Sequence, residues 1–494
     1  MKRLMIFALG VVFLSGCSLA PKYIRPQAPV PNHWPSGHSY PKSVPESNIV
    51  DAMQLKWQGF FTDPKLQQII LMALQNNRDL RLAALNVERA RALYGIQRSE
   101  LFPVIDAQSG FIKQRVSADS SISGKSYITQ QYSADLGITA WEVDFFGRIR
   151  NLTKQALEEY LNTEEARRSA QIALISEVGR TYLVFAADQA NFILSKSTLE
   201  AQQGAYKLVL RRYNAKIAQE TDLLRAQTQV DTATVDVLRY ARQLALDKNA
   251  LDLLAGSSVP EELLPPDLAS VKQFKNIFPG LPSEVLLKRP DIMAAEHKLK
   301  GAYANIGAAR AAFFPSISIT TALGTASSAF SGLFSSGRST WTYAPQVTMP
   351  IFDMRIWAAY RVSEADRKIA LTQYEKSIQT AFREVSDVLA VQGTVDQQIT
   401  AQQSNVDSAQ KIYGLSSKRY ADGIDSYLSV LDAQRSLYSA QRELIALQVI
   451  KLANEVRGYA VLGGGALGDM EEKSKSSREA LQDHILSILD SKSK

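Results

Sequence analysis

Two hydrophobic periods alternate along this 494-residue chain, and the alternation is played twice. A helical period opens after Asp63-Pro64, where Leu66, Ile69, Ile70, Ala73 and Leu74 share a face. Asp63 is placed to cap that helix and Pro64 to fill its first position. The pattern predicts one helix from about Pro64 to Leu101, stopped by Phe102-Pro103. A period of two follows. Tyr132, Ala134, Leu136, Ile138 and Ala140 alternate with Ser133, Asp135, Gly137 and Thr139, as in a strand with one wet face. An earlier strand precedes it across a Ser/Gly loop, Ala118–Lys125. After Gly147 the helical period returns and runs to about Leu254 without a proline, broken only near Asn214–Glu220. The segment before that break, if straight, would be ~90 Å long.

The plan then repeats. A helix over Ser283–Phe313 ends in Phe314-Pro315. Ile317, Ile319, Thr321 and Leu323 alternate with Ser316, Ser318, Thr320 and Ala322. Trp341, Tyr343, Val347 and Met349 alternate with Thr342, Ala344, Gln346 and Thr348, and a Ser/Gly loop, Gly324–Ser339, joins the two runs. Pro345 on the apolar side argues against an ordinary central strand. A proline-free helical stretch then runs to Gly463-Gly464-Gly465, and Val395, Ile399, Gln402, Val406, Ala409 and Tyr413 carry coiled-coil spacing. The break in each long helical stretch is itself repeated. Arg212–Thr228 (RYNAKIAQETDLLRAQT) aligns without a gap on Arg419–Arg435 (RYADGIDSYLSVLDAQR). Two copies of one helix–turn–helix tip suggest a duplicated architecture with two equivalent ends.

Composition changes the picture at the N-terminus. Lys2 and Arg3 precede an apolar run, Leu4–Leu14, and then Leu14-Ser15-Gly16-Cys17. The run is too short for a permanent span and reads as a signal peptide. Leu-Ser-Gly-Cys resembles a bacterial lipobox, in which Cys17 would carry covalent lipid and begin the mature chain; a plain signal peptide is the alternative. Ser18 follows, and no Asp is there to hold a lipoprotein at the inner membrane. Cys17 is the only cysteine, so no intrachain disulfide is possible. Seven prolines between Pro21 and Pro45 make the mature N-terminus an extended arm. The chain divides into a signal peptide (1–16), this arm (17–60), a first repeat (61–256), a linker (257–280), a second repeat (281–465) and a charged tail (466–494). The net charge of +7 is a solvated surface, with no Arg/Lys and aromatic interleaving for nucleic acid.

The strands make a demand the chain cannot meet alone. Four strands cannot close a barrel, and open edges are costly in lipid. Closed barrels start at about eight strands, so copies must share one, or the strands belong to a soluble sandwich. The helical stripes are narrow and broken by Ala, Ser, Thr and Gln, which suits side-by-side packing around a cylinder. His33, His38, His297 and His484 show no metal-ligand spacing, and neither a phosphate loop nor a nucleophile motif is present, so no cofactor and no enzyme activity are expected.

At this point the chain resembles the TolC-type outer-membrane efflux channels, in particular their OprM-like lipoprotein branch. The residues that carry the resemblance span nearly all of the mature chain. They are Trp57…Phe60…Asp63…Leu66…Ala73-Leu74…Asn77…Asp79-Leu80, Leu281–Ile292 (LPSEVLLKRPDI), Ala308–Ser318 (AARAAFFPSIS), Pro350-Ile-Phe and Leu431-Asp-Ala-Gln-Arg435. The resemblance implies a mainly α fold with β, working as a homotrimer. A 12-stranded outer-membrane β-barrel, four strands per chain, would continue into a 12-helix periplasmic α-barrel. It implies a passive exit duct for small molecules, docked on a periplasmic adaptor and an inner-membrane pump of RND type, and anchored in the outer membrane through Cys17. By position, Leu428 and Asp432 fall on an apolar and an acidic constriction ring, with Arg435 one turn on. Asp222 and Tyr420 fall where such tips link neighbouring coils. Two departures put a double acidic ring in doubt: Ser429 replaces a second ring aspartate, and Asp425 replaces a linking arginine. From the residues alone, Asp432 reads as a solvated i,i+3 pair with Arg435, and it is the resemblance that makes it a gate residue. The cargo stays open; scattered methionines favour organic compounds over copper or silver.

Overall fold

The structure is a computed structural model that describes residues 18–40, 55–275 and 286–465; the stretch containing Cys17 and the charged tail lie outside them. Its elements in order are α1 (Trp57–Phe60), α2 (Pro64–Asn76), α3 (Arg78–Ser99), β1 (Ile105–Val116), β2 (Tyr127–Val143), α4 (Arg148–Asn214) and α5 (Glu220–Ala255). Then come α6 (Pro290–Ala311), β3 (Ser316–Ser327), β4 (Ser339–Thr348), α7 (Met354–Ala421) and α8 (Tyr427–Val461). Among the described residues, no helix is long and apolar enough to cross a membrane. The chain forms two compact units, one from residues 1–27, 86–164 and 294–374, the other from 28–85, 165–293 and 375–494.

The first unit holds the sheet. Its four antiparallel strands run β1-β2-β3-β4. Directly opposed residues share a face, so the register sorts every side chain. Ile105, Ile138, Thr321 and Tyr343 form one row across the four strands, and Ala107, Leu136, Leu323 and Trp341 the next. These rows make one apolar face that is left bare: Leu323 is 68% exposed and Trp341 76%. The other face reads Asp106, Gly137, Ala322, Thr342 and Gln108, Asp135, Gly324, Thr340. On it a Cβ at Gly137 would overlap the Thr321 carbonyl, and one at Gly324 the Asp135 carboxylate. Neighbouring strands approach closely on the polar side at these two glycines.

Two strand details, at Ala140 and Gly324, differ from the sequence reading, and a third, at Pro345, agrees with it. Ala140 leaves the apolar stripe: it takes φ +50°, the register slips between Ile138 and Trp141, and Trp141 resumes the apolar face. The inserted residue is a β-bulge, and the Ala140 N–H donates to Thr320 Oγ1 at 3.1 Å. Gly324 lies inside β3, which extends to Ser327. Pro345 is in β4, an edge strand of this sheet, where a missing N–H is tolerated. In the same unit the arm is held by Tyr23 and Arg25, which donate to Glu296 at 2.7 to 3.1 Å, and by Arg310, which donates to the Leu19 carbonyl. His297 meets Glu158 at 2.7 Å, so it is a satisfied side chain.

The second unit holds the main core. Phe60 stacks on Tyr459 at 4.4 Å and on Phe274 at 5.4 Å, over fully buried Leu66, Ile69, Ile70, Val178 and Leu251. Asp63 caps α2 by accepting from the Lys65 N–H at 2.9 Å, with Pro64 at its start. The single helix expected over 64–101 is instead α2 and α3, because Asn77 turns extended at ψ 130°. Its Oδ1 accepts from the Leu80 N–H and its Nδ2 donates to the Leu254 carbonyl. Gly256 makes this approach possible. It ends α5 at φ +69°, and a Cβ there would overlap the Asn76 carbonyl. In the described part of the proline-rich stretch that follows, Val259, Leu268, Val271 and Phe274 are buried in the core. Within this unit Trp34 of the arm stacks on Phe382 of α7 at 5.1 Å.

Candidate functional site

The candidate site is the pair of tips, all of it in the second unit. Each tip closes with the same backbone bonds. At the first, the Lys216 N–H donates to Tyr213 O and the Ile217 N–H to Arg212 O, both at 2.8 Å. At the second, Gly423 N–H donates to Tyr420 O at 3.1 Å and Ile424 N–H to Arg419 O at 2.9 Å. This is a Schellman closure, which needs a left-handed residue just past the helix. Gly423 supplies it at φ +77°; the other copy uses Lys216 at φ +59°.

Between the tips lies a small core of Val209, Ala226, Tyr420, Tyr427, Val430 and Leu431. Tyr420 is buried there. The Arg212 guanidinium sits 4.8 Å from its ring centre and donates to its carbonyl at 3.2 Å. Burial pushes the Tyr420 hydroxyl up, and pushes that of Tyr427 up to about 12. Asp222 pairs with Arg225 on its own helix at 3.6 Å and makes no hydrogen bond to Tyr420 among the described contacts, although its charge is felt there. Asp222 and Tyr420 thus lie in one neighbourhood within this chain.

Leu428, Asp432 and Arg435 fall at i, i+4 and i+7 on one face of α8, flanking the stripe of buried Tyr427, Val430, Leu431 and Gln434. Leu428 is 43% exposed, and Arg435 donates to Asp432 at 3.1 Å with both side chains about two-thirds exposed. An exposed pair of this kind contributes little to stability. Asp425 accepts from Arg419 at 2.6 Å across the turn, and that bond holds its carboxyl below the usual range. Sequence reasoning gave no role to Arg212 or Arg419, although the repeat aligns them. It missed the bond from Tyr438 to Asp236 at 3.0 Å, which joins α8 to α5 and has no spacing signature.

A family model described as "Outer membrane efflux protein" matches residues 69–257 and 281–464. The chain belongs to the outer membrane efflux protein family. It is 47% identical over 465 residues, 94% of its length and 96% of the relative's, to the toluene efflux pump outer membrane protein TtgC of Pseudomonas putida. A membrane protein from Pseudomonas aeruginosa, known from its crystal structure, has a TM-score of 0.84 at 38% identity, covering 90% of this chain and all of that one. The open-state MtrE outer membrane channel of Neisseria gonorrhoeae scores 0.81 at 34% identity, covering 91% and 99%. As an outer membrane efflux protein, the chain works in the outer membrane as the efflux channel of a pump, among transport proteins rather than enzymes.

Proposed function

We propose that three copies of this outer membrane efflux protein build one passive exit duct of a tripartite pump. Each copy lends four strands to a 12-stranded barrel and its long helices to a 12-helix barrel in the periplasm. The two halves of the chain are the two structural repeats of that design. The observation that carries the reading is the sheet: four strands, one bare apolar face, one polar face lined with glycine, and edges β1 and β4 that pair with nothing among the described residues. In lipid such edges must be closed by another copy. Lipid on Cys17 supplements the hold, adding ~0.8 kcal/mol per buried methylene. The tips form the closed end, with Leu428 as an apolar ring, Asp432 as an acidic ring balanced by Arg435, and Asp222 and Tyr420 facing the neighbouring coil. A periplasmic adaptor and an RND-type inner-membrane pump dock there. Small organic compounds are the cargo, as the toluene pump relative and the scattered methionines favour.

Detergent-purified protein is expected to weigh three chains by native mass spectrometry and to give small, gated conductance in planar bilayers. Asp432→Ala is expected to raise that conductance by removing one ring of three carboxylates. A stable monomer rejects the duct; unchanged conductance in the mutant rejects the gate assignment alone.

A further inference from the structure

Away from the tips, α4 and α5 bring two carboxyls face to face. Asp188 of α4 lies at hydrogen-bonding range of Asp247 of α5. Asp247 is 6% exposed. Its Oδ1 accepts from Gln243 Nε2 at 2.9 Å, but its Oδ2 is buried with no donor among the described residues. Asn191, one turn along α4, is the other group that hydrogen-bonds Asp188. Among the described residues no Lys, Arg or His acts on Asp188, and Lys248, beside Asp247, is committed to Asp252 at 2.9 Å. Two charged carboxylates would repel here, and a buried oxygen without a donor is costly.

One positive charge answers both problems. We infer that Asp188 and Asp247 form a buried proton-binding site that fastens α4 to α5, with a proton on Asp188 donated to Asp247 Oδ2. Burial, and then the charge of Asp247, push the Asp188 carboxyl up to about 6. Its folded value therefore exceeds its unfolded one. The folded chain holds the extra proton between the ordinary carboxylate range and about 6, so stability falls as pH rises through that window and is flat above it. The joint is tight in mildly acidic surroundings and looser at neutral pH.

Hydrogen exchange of the full-length protein in detergent tests this, with rates corrected for intrinsic exchange. Wild-type amides flanking Asp188 and Asp247 are expected to lose about tenfold in protection between pH about 4.5 and about 7.5, allowing for solvent screening at the partly buried Asp188. Asp188→Asn supplies a permanent neutral donor, so it is expected to keep the acid-level protection at both pH values. A wild type with no pH dependence overturns the inference, as does an Asn variant that is less protected at both values. Calcium chloride is the second arm. If it restores wild-type protection at the higher pH, the site takes a metal cation and the proton assignment is wrong; no response to calcium, with the pH profile above, upholds it.

Discussion

Single side chains decide two local outcomes. At the tips, the left-handed position is filled by Gly423 in one copy and Lys216 in the other. A side chain with a Cβ is strained there. Lys216→Gly is expected to stabilise the first tip by about 0.5–1 kcal/mol, and Gly423→Ala to destabilise the second by about 1 kcal/mol. Exchange rates of the tip amides read both. On the arm, Glu296 has a side chain only 4% exposed and receives Arg25, Lys300 and Tyr23. Burial would push its carboxyl up; the hydrogen bonds from Arg25, Lys300 and Tyr23 overcome that and hold it below the usual range. Its contribution is thus complete above the ordinary carboxylate value of about 4.3 and is lost as pH falls through the lowered one. Arg25→Ala removes two charged hydrogen bonds while Lys300 and Tyr23 remain, a loss of about 1–3 kcal/mol. Protease access to residues 18–27 is expected to rise in that variant at neutral pH, and in the wild type only in acid.

At the scale of elements, periodicity made the long helices, the four strands and the matched tips legible, because each rests on a repeated local pattern. The break at Asn77 was hidden, since its cause is a hydrogen bond to Leu254, remote in sequence. The bulge at Ala140 was hidden for a related reason. Alanine fits either stripe, and only the strand opposite shows that Trp141 carries the apolar face onward. Gly324 looked like loop because glycine is common in turns; in β3 it makes room for Asp135. Prolines marked 257–280 as a linker but gave no sign that its described part packs, with Phe274 stacked on Phe60 at 5.4 Å. The tip residues were locatable by the repeat and by resemblance. Their partners were not: Arg212 over Tyr420 and Tyr438 on Asp236 are contacts between helices with no shared spacing.

At the scale of the whole molecule, the two faces of the sheet face different solvents if copies close around a lumen. Thr342 and Tyr343 are neighbours in mid-β4 on opposite faces, Thr342 in the row of Asp106 and Tyr343 in the row of Ile105. A lysine at each makes the same change in charge and nearly the same change in bulk. Toward lipid it costs about 2–4 kcal/mol near the bilayer midplane and less near the interfaces. Toward a watery lumen it is tolerated and alters the field that ions cross. Tyr343→Lys is therefore expected to reduce the yield of assembled protein in outer-membrane fractions, with no change in the ion selectivity of whatever assembles. Thr342→Lys is expected to assemble at wild-type yield and to shift the reversal potential in a salt gradient toward anions. Equal loss of yield in both variants would mean that both faces are packed against protein, as in a soluble sandwich, and the reverse pattern would put the polar face toward lipid. The first result leaves three copies with no lumen to share, and the second turns the other face of the sheet toward it.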